Sequence, residues 1–175
     1  MKNLTALSIS ISLLGGLATY LAIGPLNGIF LIWAVFVAWG AFFAVGGTAD
    51  AMKNTIVCGI FGVFLAWAAA LIIINLPMAE SLGLPLWAGI VVAATVLILC
   101  LAANIPALAT IPASVFGYAP TFAYLLQTSG TLSNDVLLAA NLSNPLLLIS
   151  VSIIVGTLFG FASGQLGAKL TTAEA

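Results

Sequence analysis

Charge is what this chain has least of. Its 175 residues include three lysines, no arginine, four acidic residues and no histidine. Charged residues make up 4% of the chain, against about 25% in a soluble domain. No water-facing surface of ordinary character can be built from so few. The missing histidine excludes imidazole metal sites and His-based acid–base catalysis. With no basic patch, a nucleic-acid partner is excluded too. There is no carboxylate pair, no nucleophile with a base beside it, and no Gly-rich phosphate loop, so neither an enzyme nor a bound cofactor or metal is expected. Cysteine is scarce as well. Cys58 and Cys100 both sit in apolar runs and read as small buried hydrophobes rather than a disulfide or metal pair.

What the chain does have is apolar length: 63% of its residues are hydrophobic. A hydrocarbon core about 30 Å thick needs about 20 apolar residues in a helix. By that measure six spans are expected, at residues 4–23, 26–45, 54–76, 85–103, 105–127 and 145–168, within a single transmembrane domain. The runs are apolar on all sides, without the alternating polarity of barrel strands. Helices also satisfy their own backbone amides without water. The expected fold is an all-α polytopic membrane bundle of six transmembrane helices, the fifth broken by prolines. Lys2 followed by an apolar stretch matches the start of a signal peptide. The stretch is longer than the usual signal core, so a retained helix is expected.

Six spans place both termini on one side, together with all three lysines, Lys2, Lys53 and Lys169. Glu80 and Asp135 fall on the other. Lysine favours the cytoplasmic side, so both termini are expected to be cytoplasmic. Residues 128–144 form the one long loop, and its Val136–Ala140 stretch suits a short interfacial helix.

Two features bear on packing and function. Gly156, Gly160 and Gly164 recur every fourth residue in the last span and present one small-residue face. Such a face serves internal helix packing or a contact with another subunit. The second feature is the fifth span, where Pro106, Pro112 and Pro120 fall close together. Each interior proline removes a hydrogen bond, and were the segment helical, the carbonyls of Leu108 and Phe116 would be freed. Thr110, Ser114, Tyr118 and Thr121 share a helical face about 80° wide, and Asn104 lies at its entrance. Broken helices with polar seams form solute sites in transporters. The alternative is a kinked helix whose hydroxyls bond back to their own carbonyls. No charged residue lies clearly inside a span, which disfavours ion coupling.

Two stretches carry a family resemblance. One is Gly28–Trp33, Phe42–Gly47 and Gly59–Trp67. The other is Ile111–Ala123 followed by Gly156–Phe161. Their order and spacing resemble small bacterial inner-membrane proteins grouped as domain of unknown function 1097. The resemblance implies a bacterial inner membrane and a multi-helix bundle, and supplies no activity to carry over. This chain departs from the family in its longer, more polar loop at 128–144. Size, helix count and lack of charge also echo urea and amide channels, by analogy of fold alone. The expectation is a channel or facilitator for a small neutral solute, held in the lipid bilayer as a homo-oligomer. The alternative is a non-transporting subunit that docks a partner protein through its glycine face.

Overall fold

The computed structural model describes residues 2–171. It is all-helical, with no strand among the described residues. In chain order the helices are α1 (Asn3–Ile23), α2 (Ile32–Ala44), α3 (Ala49–Asn75), α4 (Met78–Leu82), α5 (Leu84–Leu101), α6 (Ile111–Gln127), α7 (Asn134–Leu137) and α8 (Pro145–Leu170). Four stretches, Asn3–Ile23, Ala49–Asn75, Leu84–Asn104 and Pro145–Leu170, are long and apolar enough to cross a membrane, and Ile32–Ala44 is a shorter apolar helix. The chain is a multi-pass membrane protein.

Local chemistry sets the ends. α3 begins at Ala49, earlier than the expected 54, because Thr48 caps it, its hydroxyl accepting the Ala51 amide at 3.1 Å. Asp50 in the first turn suits the positive end of the helix dipole. α2 is shorter than the expected 26–45: residues 24–31 run as turns and the helix starts at Ile32. Pro25 cannot donate to a continuing helix, and Gly28 takes a φ of 83° that disfavours a side chain. The fifth run divides as well. A short 3-10 turn, Pro106–Leu108, precedes α6. Pro112 sits in the first turn of α6, where no amide is needed, so only Pro120 lies inside that helix. The carbonyl lost to a helical partner is thus that of Phe116, and not also that of Leu108.

Two sequence expectations need correction. Cys100 is exposed on the outer face of α5, while Cys58 is buried; an exposed cysteine is unremarkable where lipid replaces water. The 136–140 stretch does not form a helix of its own. α7 ends at Leu137, whose side chain is fully buried, and its carbonyl accepts the Trp67 indole N–H at 2.7 Å. Asn144 fixes the same loop: its amide donates to the carbonyls of Leu137 and Ala139 while its oxygen caps α8 at the Leu146 amide. Asn75 and Asn134 exchange a reciprocal pair of hydrogen bonds beside it. Asn144→Ala is expected to lose about 2 kcal/mol, the sum of a cap and two further bonds in part replaced by water. A lower midpoint in SDS-induced unfolding, with faster proteolysis within 128–144, would register it.

α3 and α8 form the centre and run antiparallel, Gly59 facing Ile153 and Val63 sharing a cluster with Ile149. α6 lies parallel to α3: Gly62 meets the Ser114 backbone, and further along Ala70 packs with Leu125. α2 lies parallel to α8. The Leu31 amide donates to Ser152 Oγ at 2.9 Å, Gly156 faces the Val35 carbonyl and Gly160 faces Phe42. α1 runs antiparallel to α8, with Ser10 Oγ donating to the Ser163 carbonyl at 2.8 Å and Gly167 meeting Leu7. α5 runs antiparallel to α3, its Trp87 indole donating to the Ile73 carbonyl at 3.3 Å while Leu99 packs with Leu65. These pairings make α1, α2, α3, α5, α6 and α8 alternate in direction along the chain. The first turns of α1 and α3 and the last turn of α8 meet at one end, so Lys2, Lys53 and Lys169 gather there.

Candidate functional site

The buried hydroxyls of α6 are arranged by its two neighbours. α3 presents Gly59 and Gly62 without side chains, so the α6 backbone at Ser114 and Gly117 closes directly onto it. That contact takes the small-residue side of α6 into the core. Ser114, Tyr118 and Thr121 are all buried there. α5 approaches α6 less closely, and the space left between α3, α5 and α6 is a cleft of about 480 Å³. Its walls include Ile73, Leu84, Ala88, Val92, Phe122 and Leu126, and Leu84 and Leu132 place it toward the end bearing α4. No charged side chain lines it.

The cleft is apolar and reaches Tyr118 at its inner end. Tyr118 lines it, and its hydroxyl shares a 2.8 Å hydrogen bond with Thr95 Oγ1 of α5. Thr95 also donates toward the carbonyls of Val91 and Val92, so the Tyr118 hydroxyl is held from a fixed base. One turn deeper on the same face of α6 is Ser114. Its hydroxyl is buried with no partner, as are Thr55 Oγ1 on α3 and Ser150 Oγ on α8. Ser114 and Thr55 are each 1% exposed. A buried hydroxyl without a partner forfeits about 1–3 kcal/mol, so water or a solute would find a ready site beside one.

The five residues expected to line a passage do not all meet. Ser114, Tyr118 and Thr121 share the buried face of α6. Thr121 bonds back to the Gly117 carbonyl at 2.9 Å, the self-satisfying arrangement. Thr110 stands half-buried just ahead of α6 and caps nothing with its side chain. Asn104 is exposed and donates to the Leu101 carbonyl at 2.8 Å, closing the end of α5. Thr95 and Thr55 escaped sequence reasoning. The available signal for Thr95 was a lone hydroxyl in an otherwise apolar run, whereas Thr55 follows Lys53-Asn54 at the start of its run.

The glycine face is also placed. Gly156 meets the Val35 carbonyl and Ala38, Gly160 meets Trp39 and Phe42, and Gly164 lies near Phe43. α2 of the same chain covers it.

Residues 8–168 match the family described as "Protein of unknown function (DUF1097)". The chain belongs to this family. No curated protein and no solved structure matches it. The match spans every helix of the DUF1097 bundle except the outermost turns, so the cleft, the Tyr118–Thr95 pair and the glycine contacts all fall within the family's shared region.

Proposed function

We propose that this DUF1097 protein is a facilitator for a small neutral solute, of urea or amide type, in a bacterial inner membrane. One observation carries the reading: an apolar cleft reaches Tyr118, whose hydroxyl is paired with Thr95, and the next turn holds the unpartnered Ser114 hydroxyl. Hydroxyls at that depth suit a solute that offers amide or hydroxyl groups. The absence of charge on the cleft walls speaks against an ion, which would be stranded in a low dielectric. The reading is non-enzymatic.

The proposal includes six membrane crossings with both termini cytoplasmic. The alternating helix directions support the six crossings. The lysines at one end, with Glu80 and Asp135 at the other, support the orientation. It also includes a homo-oligomer, whose contacts would use surface other than the Gly156–Gly160 face that α2 occupies.

Liposome swelling with urea, acetamide, glycerol and water tests the function. Shrinkage and recovery faster than in empty liposomes is expected for at least one solute. Rates equal to empty liposomes for all four, from folded protein, would sink the reading. Thr110→Val is expected to slow any flux by about twofold to fivefold, the effect of one lost hydrogen-bonding site on a path.

A further inference from the structure

The two halves of the chain repeat one another, upside down. Each half is a long helix, a non-helical break, a shorter helix and a second long helix: α1, residues 24–31, α2 and α3, then α5, residues 102–110, α6 and α8. The packing partners exchange in step. α1 packs on α8 as α5 packs on α3, and α2 packs on α8 as α6 packs on α3. Within each half the first two helices scarcely touch. The glycine contacts correspond too, Gly62 under the Ser114 carbonyl and Gly156 under the Val35 carbonyl. Placing Leu21-Ala22, Val35-Phe36 and Phe42 over Leu101-Ala102, Val115-Phe116 and Phe122 brings the two breaks and the two shorter helices into register. Matched helices are antiparallel in every case: α1 to α5, α2 to α6 and α3 to α8. A pseudo-two-fold axis therefore relates the halves, and with three crossings in each it lies in the membrane plane.

The halves are not in the same state. In the second, the space between the first two helices and the facing long helix is the open cleft of about 480 Å³. In the first, the aromatic side chains of α2 are packed onto α8, Trp39 against Phe159 and Phe42 against Phe161. Phe42, the counterpart of Phe122, is fully buried and packs edge-on to Phe161. The Trp39 indole donates to Ser163 Oγ at 3.0 Å, and Ser10 donates to the Ser163 carbonyl, tying α1 and α2 to α8.

We propose that the two inverted halves exchange states: the present structure holds its cleft toward the end bearing α4, and a second state forms a matching cleft between α1, α2 and α8 toward the opposite end as the Trp39–Ser163 bond releases. One sequence with two near-equivalent halves supports two near-equivalent packings, and whichever is populated can be shifted by anything that fits only one of them. The proposal rests on the six-crossing orientation above and not on solute flux, so labelling and swelling fail separately.

The test places a single cysteine at Ser163→Cys, in a chain carrying Cys58→Ala and Cys100→Ala. A membrane-impermeant maleimide is applied to membrane vesicles of each sidedness. Slow labelling from the side bearing the termini is expected. Adding Ala88→Trp, which fits the open cleft and obstructs its closing, is expected to slow that labelling by about tenfold, the population shift of a modest preference for one state. Ala88→Leu has the same sign should the tryptophan variant misfold. No labelling from either side, labelling from the α4 side, or a rate indifferent to both Ala88 variants overturns the proposal.

Discussion

Replacing Gly62 with valine is expected to abolish the folded state. A Cβ at this position would fall within bonding range of the Ser114 carbonyl and press on the Tyr118 amide nitrogen. Both neighbours are backbone, so no rotamer change relieves the overlap and α3 and α6 must separate. Gly117 is the reciprocal case, its missing Cβ occupied by the Gly59 carbonyl. Gly156 against the Val35 carbonyl is the equivalent on α8. Overpacking a core with one methylene typically costs about 1–3 kcal/mol, and values above about 4 mark exceptional mechanisms. A backbone-to-backbone collision belongs to the second group, so even Gly62→Ala is expected to lose more than about 4 kcal/mol. Gly89 supplies the control, since a Cβ there meets nothing; Gly89→Ala on a helix surface should gain about 0.5–1 kcal/mol from propensity. SDS-induced unfolding in detergent measures all of these. Gly62→Ala within error of the parent would show that the α3–α6 contact is far looser than described.

The sequence made the apolar helices legible because membrane length and hydropathy leave few alternatives. Pro145 and Gly24-Pro25 marked boundaries that the structure keeps. α2 was overestimated because hydropathy cannot tell a helical residue from an apolar residue in a turn, and Leu26, Ile29 and Phe30 are all apolar. α3 was begun late because Thr48 and Asp50 read as loop, whereas a cap and a first-turn acid are how a helix starts. The seam of Ser114, Tyr118 and Thr121 was legible from helical spacing. Its depth was not, because burial of α6 depends on Gly59 and Gly62 of another helix. Thr95 was invisible as a partner for Tyr118 for the same reason: nothing in either run reports the distance between α5 and α6. The glycine repeat of α8 read from sequence as a face for either internal packing or a subunit, and the fold sets α2 of the same chain against it.

The inverted arrangement explains why so weak an internal sequence likeness accompanies so close a likeness of packing. In lipid there is no hydrophobic drive between helices, so contacts depend on small residues that let backbones approach. What the two halves must share is therefore a glycine pair at the right level of α3 and of α8, and a break ahead of α2 and of α6. The lipid-facing positions are free to differ. The exposed leucines and isoleucines of α1 and α5 need only be apolar.

Ser114→Ala separates a working hydroxyl from an idle one. In the present packing the Ser114 oxygen is buried and has no partner, so its removal should relieve an unsatisfied polar group and raise stability by about 1 kcal/mol. Alanine also fits without strain, because the contact with Gly62 is made by the backbone. Were the hydroxyl idle, the variant would be more stable and otherwise unchanged. On the facilitator reading it meets solute one turn beyond the Tyr118–Thr95 pair, and a solute passing that point without it faces a fully apolar wall. Losing a hydrogen bond at such depth raises a barrier by about 1–3 kcal/mol, so flux is expected to fall by about fivefold or more. Thr55→Val, which keeps the shape and removes the other buried hydroxyl, should act in the same direction. Gained stability together with lost flux is the signature of a polar group kept for function. Gained stability with flux intact in both variants would move the path elsewhere and end the case for this seam.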